Sequence, residues 1–136
     1  MDLSEFLNAR IAETEKIARN CWGDDQAGWW HYTGGEHVAD DDGATVCEAV
    51  MSNEAIHIAR WDPAHVLAWC AAVRVIVAEH HHVEGCGCLH NAHGHQFGCR
   101  TCHEDQGYVL SAGWCDTLLA LAQPFAGHPD FDPAWR

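Results

Sequence analysis

Two cysteine pairs, Cys86–Gly87–Cys88 and Cys99–Arg100–Thr101–Cys102, stand ten residues apart, and the interval between them carries His90, His93 and His95. Such a Gly- and His-rich stretch has few apolar side chains to bury, so an external source of order is needed. Zn²⁺ supplies one: it takes four Cys or His ligands in a tetrahedron, and closely spaced pairs let one turn provide two of them. The spacing predicts one structural Zn²⁺ held by Cys99, Cys102, Cys88 and Cys86, clasping the loop 86–102. C-x-x-C is the stronger half of this set, because C-x-C strains both thiolates onto a single ion. A replacement for one of the latter pair comes from Cys115, His80, His81, His90, His93, His95 or His103. Cys115 leads that group, since it opens the last helix, where the N-terminal dipole favours a thiolate. Twelve histidines exceed what one tetrahedral site uses, which leaves open a second ion and a role as metal buffer or sensor.

The compartment implied by the rest of the sequence agrees with bound metal. Eight cysteines in 136 residues fall below the density of a disulfide scaffold. Met1–Asp2–Leu3–Ser4–Glu5 lacks the basic start of a signal peptide. The longest strongly apolar run, Val66–Val73, is far too short to span a bilayer. The expectation is a cytoplasmic chain away from the membrane, where clustered thiols bind metal more often than each other. Twenty acidic against seven basic residues give a formal charge of −13, with no basic run. That field repels phosphate backbones and disfavours direct nucleic-acid binding.

The length predicts a single domain, 1–136, with a Cys/His-rich metal-binding loop at 80–103. The fold class read from periodicity is α+β: three main helices (about 4–20, 63–82 and 116–124) and a small antiparallel meander (about 28–50). Ser4 reads as the cap of the first helix, whose apolar stripe is Leu3, Leu7, Ile11, Thr14, Ala18 and Cys21, flanked by Phe6 and Ile17. Gly34–Gly35 and the Asp40–Asp41–Asp42–Gly43 run read as turns between three strands, the Asp triplet being solvated rather than a Ca²⁺ loop. Ser52 or Asn53 begins a short helical segment to Arg60. Asp62–Pro63 then starts the long helix, Asp as N-cap and Pro in the first turn. Its inward arc is Val66, Cys70, Val73 and Val77; carried on at the helical period, His80 and His81 fall on that arc and His82 points away. Cys21, Cys47 and Cys70 read as small core residues. Phe131 and Trp135 are expected to pack back on the helices.

The stretches Ala55–Leu67, Val73–His80 and Leu119–Arg136, with the opening Leu3–Arg10, resemble a family of short uncharacterised proteins from actinobacteria and their phages. The chain departs from the pattern at Phe125, Gly127 and Asp132–Pro133. The resemblance implies a source, phage-encoded or actinobacterial, and no activity. It also implies that the Cys/His-rich loop is an insertion into the common fold.

These readings point to a non-enzymatic, zinc-stabilised acidic accessory or adaptor protein working through contact with a protein partner, with a homo-oligomer left open. The alternative is a zinc-dependent hydrolase or deaminase-like enzyme, since His82–Val83–Glu84 followed by Cys99-x-x-Cys102 echoes H-x-E…P-C-x-x-C. No Pro precedes Cys99, and four protein ligands leave no coordination position for water, so no catalytic residue is assigned.

Overall fold

The computed structural model describes residues 1–21, 28–49, 51–80, 82–84, 97–99, 101 and 116–136. Among these lie four α-helices: α1 (Leu3–Asn20), α2 (Ser52–Arg60), α3 (Pro63–Glu79) and α4 (Asp116–Ala122). Strands β1 (Trp30–Gly34), β2 (His37–Asp40) and β3 (Thr45–Glu48) form an antiparallel sheet in that order. Strands β4 (His82–Glu84) and β5 (Phe97–Cys99) form a separate antiparallel pair. The α+β class and the three-stranded sheet match the sequence expectation. The helix count does not: the segment before Asp62 is a full helix, making four rather than three. The predicted zinc clasp falls on residues that are mostly outside the described set.

The chain divides into two compact units, Ala12–Ala72 and the pairing of Met1–Ile11 with Val73–Arg136. The Ala12–Ala72 unit is built on the sheet. Gly34 and Gly35 turn β1 into β2 with φ of 107° and 61°, a region that an L side chain enters only with strain. In the next turn Asp40 accepts from the amides of Asp42 and Ala44, at 3.1 and 2.8 Å, which holds the Asp run as a solvent-facing turn. Strict alternation would bury only one of Val38 and Ala39, yet both are buried. The β2–β3 register shifts between these two positions, and a bulge there frees consecutive residues from opposite faces. Ala55 of α2 and Cys70 of α3 are fully buried in the same unit. Cys47 is half-buried. Cys21 is exposed, against expectation, because α1 ends at Asn20 and the helical period no longer sets its direction.

Helix starts follow capping chemistry. Asp2, not Ser4, caps α1: its carboxylate accepts from the Glu5 amide at 2.7 Å while Glu5 accepts from the Asp2 amide at 2.9 Å. Met51 precedes α2, and its amide donates to Glu54, so neither Ser52 nor Asn53 is the cap. Asp62 caps α3 as the Asp–Pro pair predicts, accepting from the His65 amide at 2.6 Å. It is buried, and its second oxygen lies 3.5 Å from the Trp30 amide, so one carboxylate serves both a helix start and the first residue of β1.

The other unit has the denser aromatic core. Leu3, Phe6 and Leu7 of α1 are buried, as are Val73 and Val77 of α3, Leu118 and Ala122 of α4, and Phe131 and Trp135 of the tail. Phe6 is its centre, with Phe125, Phe131 and Trp135 at ring-centroid distances of 6.2, 5.9 and 5.0 Å. The tail is held in place by its own chemistry as well. Asp132 caps a terminal 3-10 turn by accepting from Ala134, and Gln123 donates to the Trp135 carbonyl at 2.8 Å. Pro124 ends α4 as expected, converting its last turn to a 3-10 turn at Gln123–Phe125. Among the described residues no single helix is long and apolar enough to cross a membrane.

Candidate metal centre

The segment predicted to carry the metal begins where α3 ends. The inward arc of α3 survives in Cys70, Val73 and Val77, all buried. The helix then stops at Glu79, three residues before the predicted end. His80 belongs to the turn that follows, its amide still donating to the Ile76 carbonyl at 3.0 Å. His82 is therefore not a helical residue at all. It opens β4, and the helical projection that turned it away from the core has no bearing on it. The cause is strand pairing: Val83 is β-branched, and the partner strand Phe97–Cys99, distant in sequence, offers a ladder that a continued helix would forgo.

Backbone pairing fixes what lies opposite. In the β4–β5 ladder His82 pairs with Cys99, Val83 with Gly98 and Glu84 with Phe97. A second link stands just beyond the ladder, where the Thr101 hydroxyl donates to the Glu79 carbonyl at 2.5 Å. Two residues of the C-x-x-C segment, Cys99 and Thr101, are thus registered against the junction of α3 and β4. The last carbonyls of a helix have no intrahelical donor, and Thr101 satisfies one of them.

Among the described residues no group of three or more His, Cys, Asp or Glu side chains is placed to hold a metal ion. Of the predicted ligands, Cys99 is located in β5 and His80 in the turn after α3. Cys86, Cys88, Cys102, Cys115, His81, His90, His93, His95 and His103 lie outside the described residues. The backbone register is confined to 82–84 and 97–99, which flank the interval 85–96 in the sequence.

Another polar cluster, unanticipated in the sequence, sits in the aromatic core. Arg10 is buried on α1, and its guanidinium lies 5.1 Å from the centre of the Phe6 ring. The same group contacts the His128 imidazole and stands 3.7 Å from the Asp130 carboxylate. The only hint in the sequence is that residue 10 falls three and seven positions from Leu7 and Leu3, on the apolar side of α1. No curated protein and no solved structure matches the chain. A family model does, over residues 1–136, and it places the chain in DUF6221, a family of unknown function.

Proposed function

We propose that this chain is a zinc-stabilised, non-enzymatic accessory or adaptor protein that works by binding another protein. The observation that carries the reading is the aromatic surface of the Ala12–Ala72 unit. Trp29, Trp61 and Tyr32 are exposed to 51%, 46% and 40%, and Met51 and Ile56 are exposed beside them in the sequence of helices and strands. Single exposed apolar residues are ordinary, but indole and phenol rings left in water at this frequency are the residues that anchor interfaces. With a formal charge of −13, the partner favoured electrostatically is basic. The resemblance to actinobacterial and phage proteins supports a cytoplasmic setting in such a host.

The metal's part is structural. Cys99 and Cys102 supply two thiolates by their spacing, and Cys88 and Cys86 complete the set. The zinc-dependent hydrolase or deaminase-like reading draws on one observation, the register of His82 with Cys99. It further needs a coordination position open to water.

Capture from host lysate on the full chain tests the adaptor reading, with a Trp29→Ser/Trp61→Ser chain as control. A basic partner retained by the native chain, lost from the control and weakened by salt supports it. Equal capture by both chains, or turnover of a generic hydrolase and deaminase substrate panel by the metal-loaded protein, overturns it.

A further inference from the structure

We infer that the groove between the end of β3 and α2 is a docking site for a long cationic side chain, lysine or arginine, of a basic protein partner. The inference rests on the adaptor reading above and specifies where that partner is held. The groove is open, has a volume of about 530 Å³ and is lined by Glu48, Ala49, Asn53, Glu54, His57 and Ile58. Clefts that take a ligand-sized group hold roughly 300–1,000 Å³, so the space is sufficient for a long side chain and its neighbours. Four of the six lining residues are polar or charged, yet the walls themselves are mainly apolar. Met51 and Ile56, exposed to 57% and 40%, lie on the same stretch of chain and extend its apolar character.

Charge selects the occupant. Glu48 and Glu54 bring two carboxylates to this apolar cleft. Glu54 is held in position by the start of α2, where it accepts from the Met51 amide at 3.2 Å. The Glu48 side chain is 71% exposed and stands 3.6 Å from the His37 imidazole, so its charge is presented to solvent. Lysine and arginine match both properties of the site. Their methylene stems cover apolar wall while the charged head reaches a carboxylate. A bare metal ion is a poorer occupant, because among the described residues no three His, Cys, Asp or Glu side chains converge. A second copy of this chain would set −13 against −13, and a nucleic acid would bring phosphates to the same carboxylates, so neither is complementary.

The experiment uses the purified full chain at about 0.15 M salt, where attraction between distant charges is screened. The probe is a fluorescein-labelled peptide of alternating leucine and arginine, compared with one carrying citrulline, which keeps the shape and lacks the charge. Fluorescence polarisation and backbone amide shifts read the binding. The arginine peptide is expected to bind more tightly than the citrulline peptide, with shifts centred on residues 48–58. Glu48→Gln is expected to weaken it about three- to fivefold, the scale of one ion pair at a rim. Asn53→Trp, which fills the groove from an exposed position, is expected to weaken it more than about tenfold. Asp42→Asn removes the same charge just before the other end of β3 and is expected to change affinity by less than about 1.5-fold. No binding, equal binding of the citrulline peptide, or equal losses from Asp42→Asn and Glu48→Gln overturns the inference. Capture from lysate separates that failure from failure of the adaptor reading. A partner lost from the Trp29→Ser/Trp61→Ser chain but kept by Glu48→Gln and Asn53→Trp overturns the groove and leaves the adaptor standing.

Discussion

Phe6 and Trp135 lie 129 positions apart in the sequence, yet their rings are in contact, with centroids 5.0 Å apart and planes inclined at 49°. Phe6 also meets Phe125 and Phe131 edge-on, so one helix side chain gathers every large ring of the tail. Phe6→Ala should therefore cost about 3–5 kcal/mol, the range for emptying a buried aromatic site. Trp135→Ala should fall in the same range, and the double variant should lose less than the sum, because the two share a contact. Urea unfolding of the full chain with tryptophan fluorescence and circular dichroism checks both values.

Arg10 offers a contrast between a buried and an exposed partner. Its guanidinium is buried against the Phe6 ring, while Asp130, 3.7 Å away, is 54% exposed. Arg10→Ala is expected to destabilise by about 2 kcal/mol, the scale of a desolvated cation–π contact. Asp130→Asn should change stability by less than about 1 kcal/mol, since a half-exposed ion pair is screened by water. Equal losses from the two variants would show that the ion pair, not the ring, holds the arginine in place.

Asp62 joins a cap to a sheet. Asp62→Ala removes the acceptor of the His65 amide and should cost about 1–2 kcal/mol. Asp62→Asn keeps a capping oxygen and should retain most of that stability. Amide hydrogen exchange at His65 and Trp30 should quicken in the Ala variant and stay slow in the Asn variant.

For the metal, the expected stoichiometry is one Zn²⁺ per chain. Cys99→Ser and Cys102→Ser should each abolish tight binding. Affinity should fall as pH drops, because the thiols must lose protons to bind and metal competes with those protons. Elemental analysis of the three chains and zinc titrations at several pH values check the set. Unchanged zinc content in both Ser variants would rule out the C-x-x-C pair as ligands.

Much of this architecture can be read directly from local chemistry. Asp62–Pro63 marks the start of α3 because cap and first-turn preferences are short-range, and Gly34–Gly35 marks its turn because φ > 0 is needed there. Phe131 and Trp135 pack inward as their apolarity demands. Two departures, at His82 and Cys21, share one cause. Extending a helical period from Val77 to His82 assumes that the helix continues, and only a partner strand distant in sequence, Phe97–Cys99, ends it. The same extrapolation fails at Cys21, exposed one residue past the end of α1. The burial of Arg10 is not legible in the sequence because it depends on a ring and an imidazole, and the imidazole of His128 lies 118 positions away. The sequence points to a metal by ligand type and spacing, but the register of Cys99 against His82, just past the α3 terminus, is not legible in it.

The dependence of Phe6 on residues 125–135 also sets an order of events during translation. Leu3, Phe6 and Leu7 leave the ribosome well before the rings that cover them, which emerge only after some 120 further residues have been made. The Ala12–Ala72 segment is contiguous and can close while synthesis continues, whereas the unit that pairs Met1–Ile11 with Val73–Arg136 must wait. At the ordinary pace of about 5–20 residues per second, the amphipathic N-terminus stays uncovered for several seconds to tens of seconds, long enough to engage a chaperone.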